Sequence, residues 1–241
     1  MPSKLTGHPF ETFEEVRIIN LVDRPDRRRE MTDQLRRLGG MTSHVSFFDA
    51  HRPESPGKFP SAGVRGCFES HLGVLKGARD NGSETLLLLE DDFDFTREGL
   101  AVADQVFSQL SSEDWSIFYG AHLLGDERRG LIRIQPDEPV LTASFVGFKR
   151  QTIVELVDFL EAMLQRPAGS PDWGPMHVDG AYTVFRMLHP DHATFAAFPS
   201  LGRQRSSPSD ITPGNMILDR WAGTRKIAAV LRRSYNWMRR Q

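Results

Sequence analysis

Residues 86–89 are four leucines in a row, and they run directly into Glu90, Asp91 and Asp92. A short continuous apolar run fits a strand covered on both faces, as in a parallel sheet. Residues 16–21 have the same character and predict a first strand. Asp23 and Pro25 supply helix-start chemistry. Met31, Leu35 and Leu38 follow at i, i+4 and i+7, one face of a helix that Gly39 and Gly40 end. Residues 45–48 predict a second strand, closed by Asp49. Residues 51–66 are rich in Pro, Gly and Ser and read as a long loop, a class often functional. Phe68, Leu72 and Leu75 mark a helix that stops near Asn81 and Gly82. Further strands are predicted over 115–119 and 141–148. Ile153, Leu156, Val157, Leu160 and Leu164 predict an amphipathic helix over 151–164. A turn-rich break at 166–174 precedes a helix over 178–188. Alternating strands and helices argue for an α/β fold, a mostly parallel central sheet with helices on both faces.

Composition narrows this picture. The 241 residues, 39% apolar and 26% charged, suit one α/β domain. The expected organisation is a loose leader over 1–15, the domain over 16–215 and a C-terminal helix over 216–241. The single cysteine, Cys67, excludes an internal disulfide and a cysteine metal cluster, and fits a reducing compartment. No run approaches the roughly 20 apolar residues of a membrane span, and no signal-like segment opens the chain, so the expected location is cytoplasmic. Residues 220–241 hold seven basic residues and no acidic one, which leaves −9 on the preceding part. A body this acidic excludes general binding of nucleic acid. In the tail, Ile227, Leu231 and Met238 follow helical spacing beside Trp221, Val230 and Trp237. That pattern suits peripheral contact with an anionic membrane through residues 220–241, or packing on protein.

Three adjacent carboxylates at a strand end repel one another unless something positive sits there. A divalent cation carrying a phosphorylated ligand resolves this, and ligands of open α/β sheets bind at the carboxyl ends of strands. The sequence Ile19-Asn20-Leu21-Val22-Asp23-Arg24-Pro25-Asp26-Arg27-Arg28 resembles the opening motif of the family 25 glycosyltransferases. These are bacterial lipooligosaccharide glycosyltransferases, related to the collagen galactosyltransferases. Phe48-Asp49-Ala50 resembles the second block. Residues 66–72, with Leu75, Lys76 and Ala78, resemble the third, and Leu88-Leu89-Glu90-Asp91-Asp92 the fourth. The four blocks stand in order over residues 17–95, with weaker similarity to about 211. The resemblance implies a GT-A-like nucleotide-binding sandwich and a metal-bridged UDP-sugar. It also implies an inverting transfer, often of galactose, to a saccharide or lipooligosaccharide acceptor, with Asn20 and Leu21 on the nucleotide-sugar side. The match departs most after Asp92, where acceptor and base would be built. A non-catalytic nucleotide-sugar or glycan-binding protein on the same scaffold is therefore the rival reading. A metal-dependent phosphohydrolase is a third, though it lacks the usual supporting histidines.

Residue chemistry assigns expected roles. Glu90 and Asp92 occupy the outer positions of the acidic triplet and offer hard oxygens to Mn²⁺ or Mg²⁺, with Asp91 beside them on the nucleotide-sugar. Asp94 reads as a cap or surface residue. Arg24, Arg27 and Arg28 follow the first strand, and Arg24 and Arg27 are the candidates for bidentate phosphate contact. The alternative is a solvated first turn, although cations there oppose the helix dipole. Asp49 could accept from a ribose hydroxyl or a base, or cap a turn. Ser70 and His71 are candidate donor contacts, but His71 shares a face with Cys67 and Val74, which also fits a packed histidine. Asp179 is the candidate base for the acceptor hydroxyl, matching a Val-Asp pair of the family, or else a helix cap. Asp172 is the rival base, and His177 a third metal ligand or an acceptor contact. Trp173 suits stacking on a sugar or the core equally. Arg205, Ser206 and Ser207 could close over a diphosphate, or form a plain polar loop.

Overall fold

A computed structural model of the chain describes residues 9–125 and 127–205. Ser206, Ser207 and the basic helix expected over 216–241 lie outside the described residues. The strands are β1 (Glu15–Asn20), β2 (Val45–Asp49), β3 (Thr85–Glu90), β4 (Phe93–Phe95), β5 (Ile117–Tyr119), β6 (Gly130–Ile134), β7 (Phe145–Lys149), β8 (Thr194–Phe198) and β9 (Gly202–Gln204). The helices are α1 (Pro25–Arg37), α2 (Ala62–Asn81), α3 (Arg97–Ser112), α4 (Arg150–Gln165) and α5 (Val178–Leu188), with a 3-10 turn at Pro9–Thr12. Seven strands form one sheet in the order β2-β1-β3-β7-β5-β8-β6, and β4 pairs with β9 separately. Pairings are parallel for β1 with β2 and β3 and for β5 with β8, and antiparallel where β6 or β7 takes part. Five of the seven strands thus point the same way, the mostly parallel sheet expected.

The leucine run explains why this is a three-layer structure. Leu86 and Leu88 project into one core, with α2, α4 and α5. Leu87 and Leu89 project into the other, with α1, α3 and the residues around Phe10 and Phe13. All four are fully buried. Side chains alternate across a strand, so both faces must be apolar when both are covered. Each such leucine contributes about 1.5–3 kcal/mol of burial, which makes β3 the spine of the sheet.

Several expectations change. The leader is not loose at its described end: Phe10 and Phe13 are 0% and 1% exposed, and Phe13 lies under Gly147 of β7. A Cβ built on Gly147 would come within 2.6 Å of the Phe13 ring, so this glycine is what admits the aromatic ring. The loop expected over 51–66 ends at Ser61, whose hydroxyl accepts from Val64 N at 3.1 Å and caps α2. Asp23 does not cap α1. Arg24 holds the cap position without a side-chain capping bond to the helix backbone, Pro25 presets the first turn, and Asp23 pairs with Arg52 instead. The strand expected over 141–148 starts only at Phe145. Elements α3, β4, β6, β8 and β9 extend the predicted set.

Candidate active site

Three parallel strands deliver the site. Asn20 ends β1 opposite Asp49 of β2, and Glu90 ends β3 opposite Ile19. Asp91 and Asp92 then turn over this edge. The backbone is pinned there: Asp91 N donates to Ile19 O at 3.1 Å, and Glu90 N to Ser144 O at 3.0 Å.

The three acids have different surroundings. Both oxygens of Asp91 are engaged. Asn20 Nδ2 donates to one at 2.6 Å and Arg27 to the other at 3.3 Å. Asn20 also donates to Arg24 O at 3.2 Å, which fastens the β1–α1 turn to the acidic segment. Asp91 is therefore a tie between elements, and burial still raises its pKa against the pull of Asn20 and Arg27. Asp92 is less satisfied. Gln204 Nε2 donates to Oδ2 at 3.1 Å, Arg27 stands 3.8 Å from that oxygen, and Oδ1 is buried with no hydrogen-bond partner. Burial first, then the Glu90 charge, pushes the Asp92 carboxyl up to about 7. Glu90 takes Gln204 Nε2 at 3.5 Å on one oxygen, with His71 Nε2 at 3.3 Å and the Cys67 thiol at 3.7 Å on the other.

A hard divalent cation fits this arrangement. Its donors are carboxylate oxygens, one of them buried and unpartnered, and two like charges share a neutral donor, Gln204. Cys67, His71 and Glu90 also offer ligand atoms within 4.8 Å of one another. His71 is sealed, however, with Nδ1 at 3.0 Å from the Tyr182 hydroxyl, so it acts as a support for Glu90.

The remaining expected residues divide. The Cys67 thiol is pushed up by burial and then by the charges of Glu90, Asp179 and Asp92. Asp179 opens α5 and accepts from Gly180 N at 2.8 Å and Thr142 N at 3.3 Å. Thr142 adopts φ +97°, a strained value for a β-branched residue; strain of this kind gathers at functional sites. Arg205 N donates to Asp92 O at 2.7 Å and its guanidinium to Asp91 O at 3.2 Å. Arg27 is buried and turned to the acids, 3.3 Å from Asp91 and 3.8 Å from Asp92. Arg24 is paired with Asp26 at 2.7 Å and holds that carboxyl well below its usual range. Ser70 is sealed from any ligand, because its hydroxyl accepts from His51 N at 2.8 Å and donates to Gly66 O at 2.6 Å. Asp49 is 71% exposed, 4.0 Å from Arg28. Leu21 is half-buried in the β1–α1 turn. His177 is exposed at the start of α5 and joins no group of ligand atoms within 4.8 Å among the described residues. Asp172 is exposed, and Trp173 packs against the core. Asp94 sits in β4, not at a cap, where Gln34 donates to it at 2.8 Å and Arg205 pairs with it at 3.0 Å.

Thr142 was not expected, and nothing local marks it. Gln204 opens the polar stretch that holds Arg205 and meets its acid from 112 residues away.

No family model matches the chain, and no curated protein matches it. Among solved structures, the chain is similar to a glycosyltransferase involved in the glycosylation of the major capsid of PBCV-1. The identity is 10%, over 77% of this chain and 82% of that one, with a TM-score of 0.45. It is also similar to mannose-1-phosphate geranyltransferase from Thermus thermophilus, at 14% identity over 80% and 74%, with a TM-score of 0.41.

Proposed function

We propose that the protein is a metal-assisted glycosyltransferase of GT-A type that moves a sugar from a nucleotide-sugar donor to a saccharide hydroxyl. The observation that carries this is Asp92: a buried, unpartnered carboxylate oxygen beside Glu90, at the strand edge where α/β folds bind ligands. Three of the four sequence blocks resembling family 25 lie at this same edge and the third lies in α2, whose His71 supports Glu90; this favours a UDP-sugar, galactose included, and a lipooligosaccharide-type acceptor.

Glu90 and Asp92 would hold Mn²⁺ or Mg²⁺, whose charge offsets the negative charge growing on the leaving diphosphate. Asn20 and Arg27 keep Asp91 fixed beside them. Arg205, reaching over the acidic turn and paired with Glu30 and Asp94, would meet a phosphate by exchanging those carboxylates for it. Asp179 would accept the proton of the attacking hydroxyl as that oxygen displaces the diphosphate from the opposite face. Thr142 N and Gly180 N hold its carboxylate in one orientation, as general base catalysis requires. The product is an inverted glycosidic bond, a free nucleoside diphosphate and a proton on Asp179.

The test is melting of the purified protein against a panel of nucleotide sugars, with and without Mn²⁺, followed by donor turnover. One donor should raise the melting temperature only with metal, and should then be hydrolysed slowly. Indifference to every nucleotide sugar in the presence of Mn²⁺ would overturn the proposal.

A further inference from the structure

A second group of ligand-type side chains lies at the opposite edge of the sheet. After α5, His189-Pro190-Asp191-His192 leads into β8 at Thr194. β8 points the same way as β3, so its start lies at the amino edge, whereas Glu90 and Asp92 lie at the carboxyl edge. Glu155 reaches this turn from α4. Its Oε2 is 2.8 Å from His192 Nε2 and 3.8 Å from His189 Nδ1, and each of the three residues offers a ligand atom within 4.8 Å of the others.

The atoms pointing away from this meeting point are already held. Thr152 Oγ1 bonds to His192 Nδ1 at 2.9 Å, and Gln151 Nε2 donates to Glu155 Oε1 at 2.9 Å. Such outer partners fix the tautomer and orientation of metal-ligating groups. Packing fixes the rings as well: Phe185 stacks on His189 at 4.5 Å and lies 5.2 Å from His192. Two imidazole nitrogens and one carboxylate oxygen are a donor set for zinc, not for magnesium or calcium, which prefer oxygen alone. Tetrahedral ligands about 2.0–2.2 Å from zinc stand about 3.4 Å apart. The two measured separations lie on either side of that value, so small side-chain rotations seat the ion.

We infer that Glu155, His189 and His192 form a zinc-class site that clasps α4 to the turn joining α5 and β8. His189 and Glu155 are 38% and 36% exposed, which leaves a fourth position open to water. The clasp is independent of the proposed transfer reaction, since it faces the other edge and shares no residue with the acidic cluster.

The experiment uses the full chain carrying Asp92→Asn and Cys67→Ser, which disable the Glu90–Asp92 pair and the Cys67–His71–Glu90 group. After treatment with a chelator, Zn²⁺ is titrated against a chromophoric competitor, and Co²⁺ is followed by its visible absorption. One Zn²⁺ per chain, an intense four-coordinate Co²⁺ band and a zinc-dependent rise in melting temperature are expected. Glu155→Gln and His192→Gln, each checked for folding by circular dichroism, should weaken binding by about 100-fold or more and lose the band. If a variant does not fold, the three readouts on the parent protein and the remaining variant decide. No binding, a pale six-coordinate Co²⁺ spectrum, or binding untouched by a folded variant would overturn the assignment.

Discussion

Asp92→Asn tests the electrostatics of the acidic edge directly. Burial and the Glu90 charge raise the Asp92 carboxyl from 3.8 to about 7. A folded-state value above the unfolded one means that the folded chain holds the proton more tightly. Stability is therefore fully present below about pH 4 and declines as pH rises toward about 7. At about 1.4 kcal/mol per pH unit, the ceiling on this loss is about 4 kcal/mol. Glu90 shares the repulsion and Gln204 offsets part of it, so replacing Asp92 alone should recover about 1–3 kcal/mol at pH 8. In a chain of this size that is about 2–12 °C of melting temperature. Metal-free Asp92→Asn should thus melt above the wild type at pH 8, and the gap should narrow by more than half at pH 5. Mn²⁺ should act the other way, stabilising the wild type at pH 8 and leaving the variant nearly unchanged. Melts from pH 5 to 9, in chelator and in Mn²⁺, read all four quantities. A variant less stable than wild type at pH 8 in chelator would refute the claim that Asp92 is a repelled, buried acid. Equal stabilisation of both proteins by Mn²⁺ would move the metal elsewhere.

Asp179→Asn should lower donor turnover by about 10²–10⁴-fold while nucleotide binding, read by thermal shift, stays within a few-fold; retained turnover removes Asp179 as the base. Gly147→Ala should destabilise by about 1–3 kcal/mol in urea melts, because the new methyl meets the sealed Phe13 ring, and a change under about half a kcal/mol would show that the leader is not anchored there. Cys67 should react slowly with thiol reagents at neutral pH until the chain unfolds, since burial and three carboxylates hold its thiol protonated. Rapid labelling of the folded protein would contradict a thiol raised in this way.

Much of this architecture is readable from local pattern because it is locally caused. The leucine run, the Gly82 stop of α2 and the full extent of α5 each rest on a few consecutive residues, and each agrees with the structure. Helix α3 has a signal of the same kind, with Thr96 accepting from Gly99 N at 3.1 Å and Ala103, Val106, Phe107 and Leu110 on one face. The acidic turn and the polar residues before it look like a loop, and that hides the start of the helix. Strands β8 and β9 are harder. Their pairing partners lie far off in the chain, and short strands carry little periodicity.

The candidate site separates along the same line. Residue type and position in the chain are enough to select residues 90–92, but three neighbouring carboxylates look alike in sequence. What distinguishes them is delivered from elsewhere: Asn20 and Arg27 close the valences of Asp91, His71 and Cys67 support Glu90, and Gln204 meets Asp92 on one oxygen. Arg27 likewise takes its place from the fold, since its guanidinium lies beside Asp91 and Asp92. An acid whose needs the fold has met is structural. One left buried with an open oxygen has a free-energy reason to capture a cation, and on this edge that acid is Asp92.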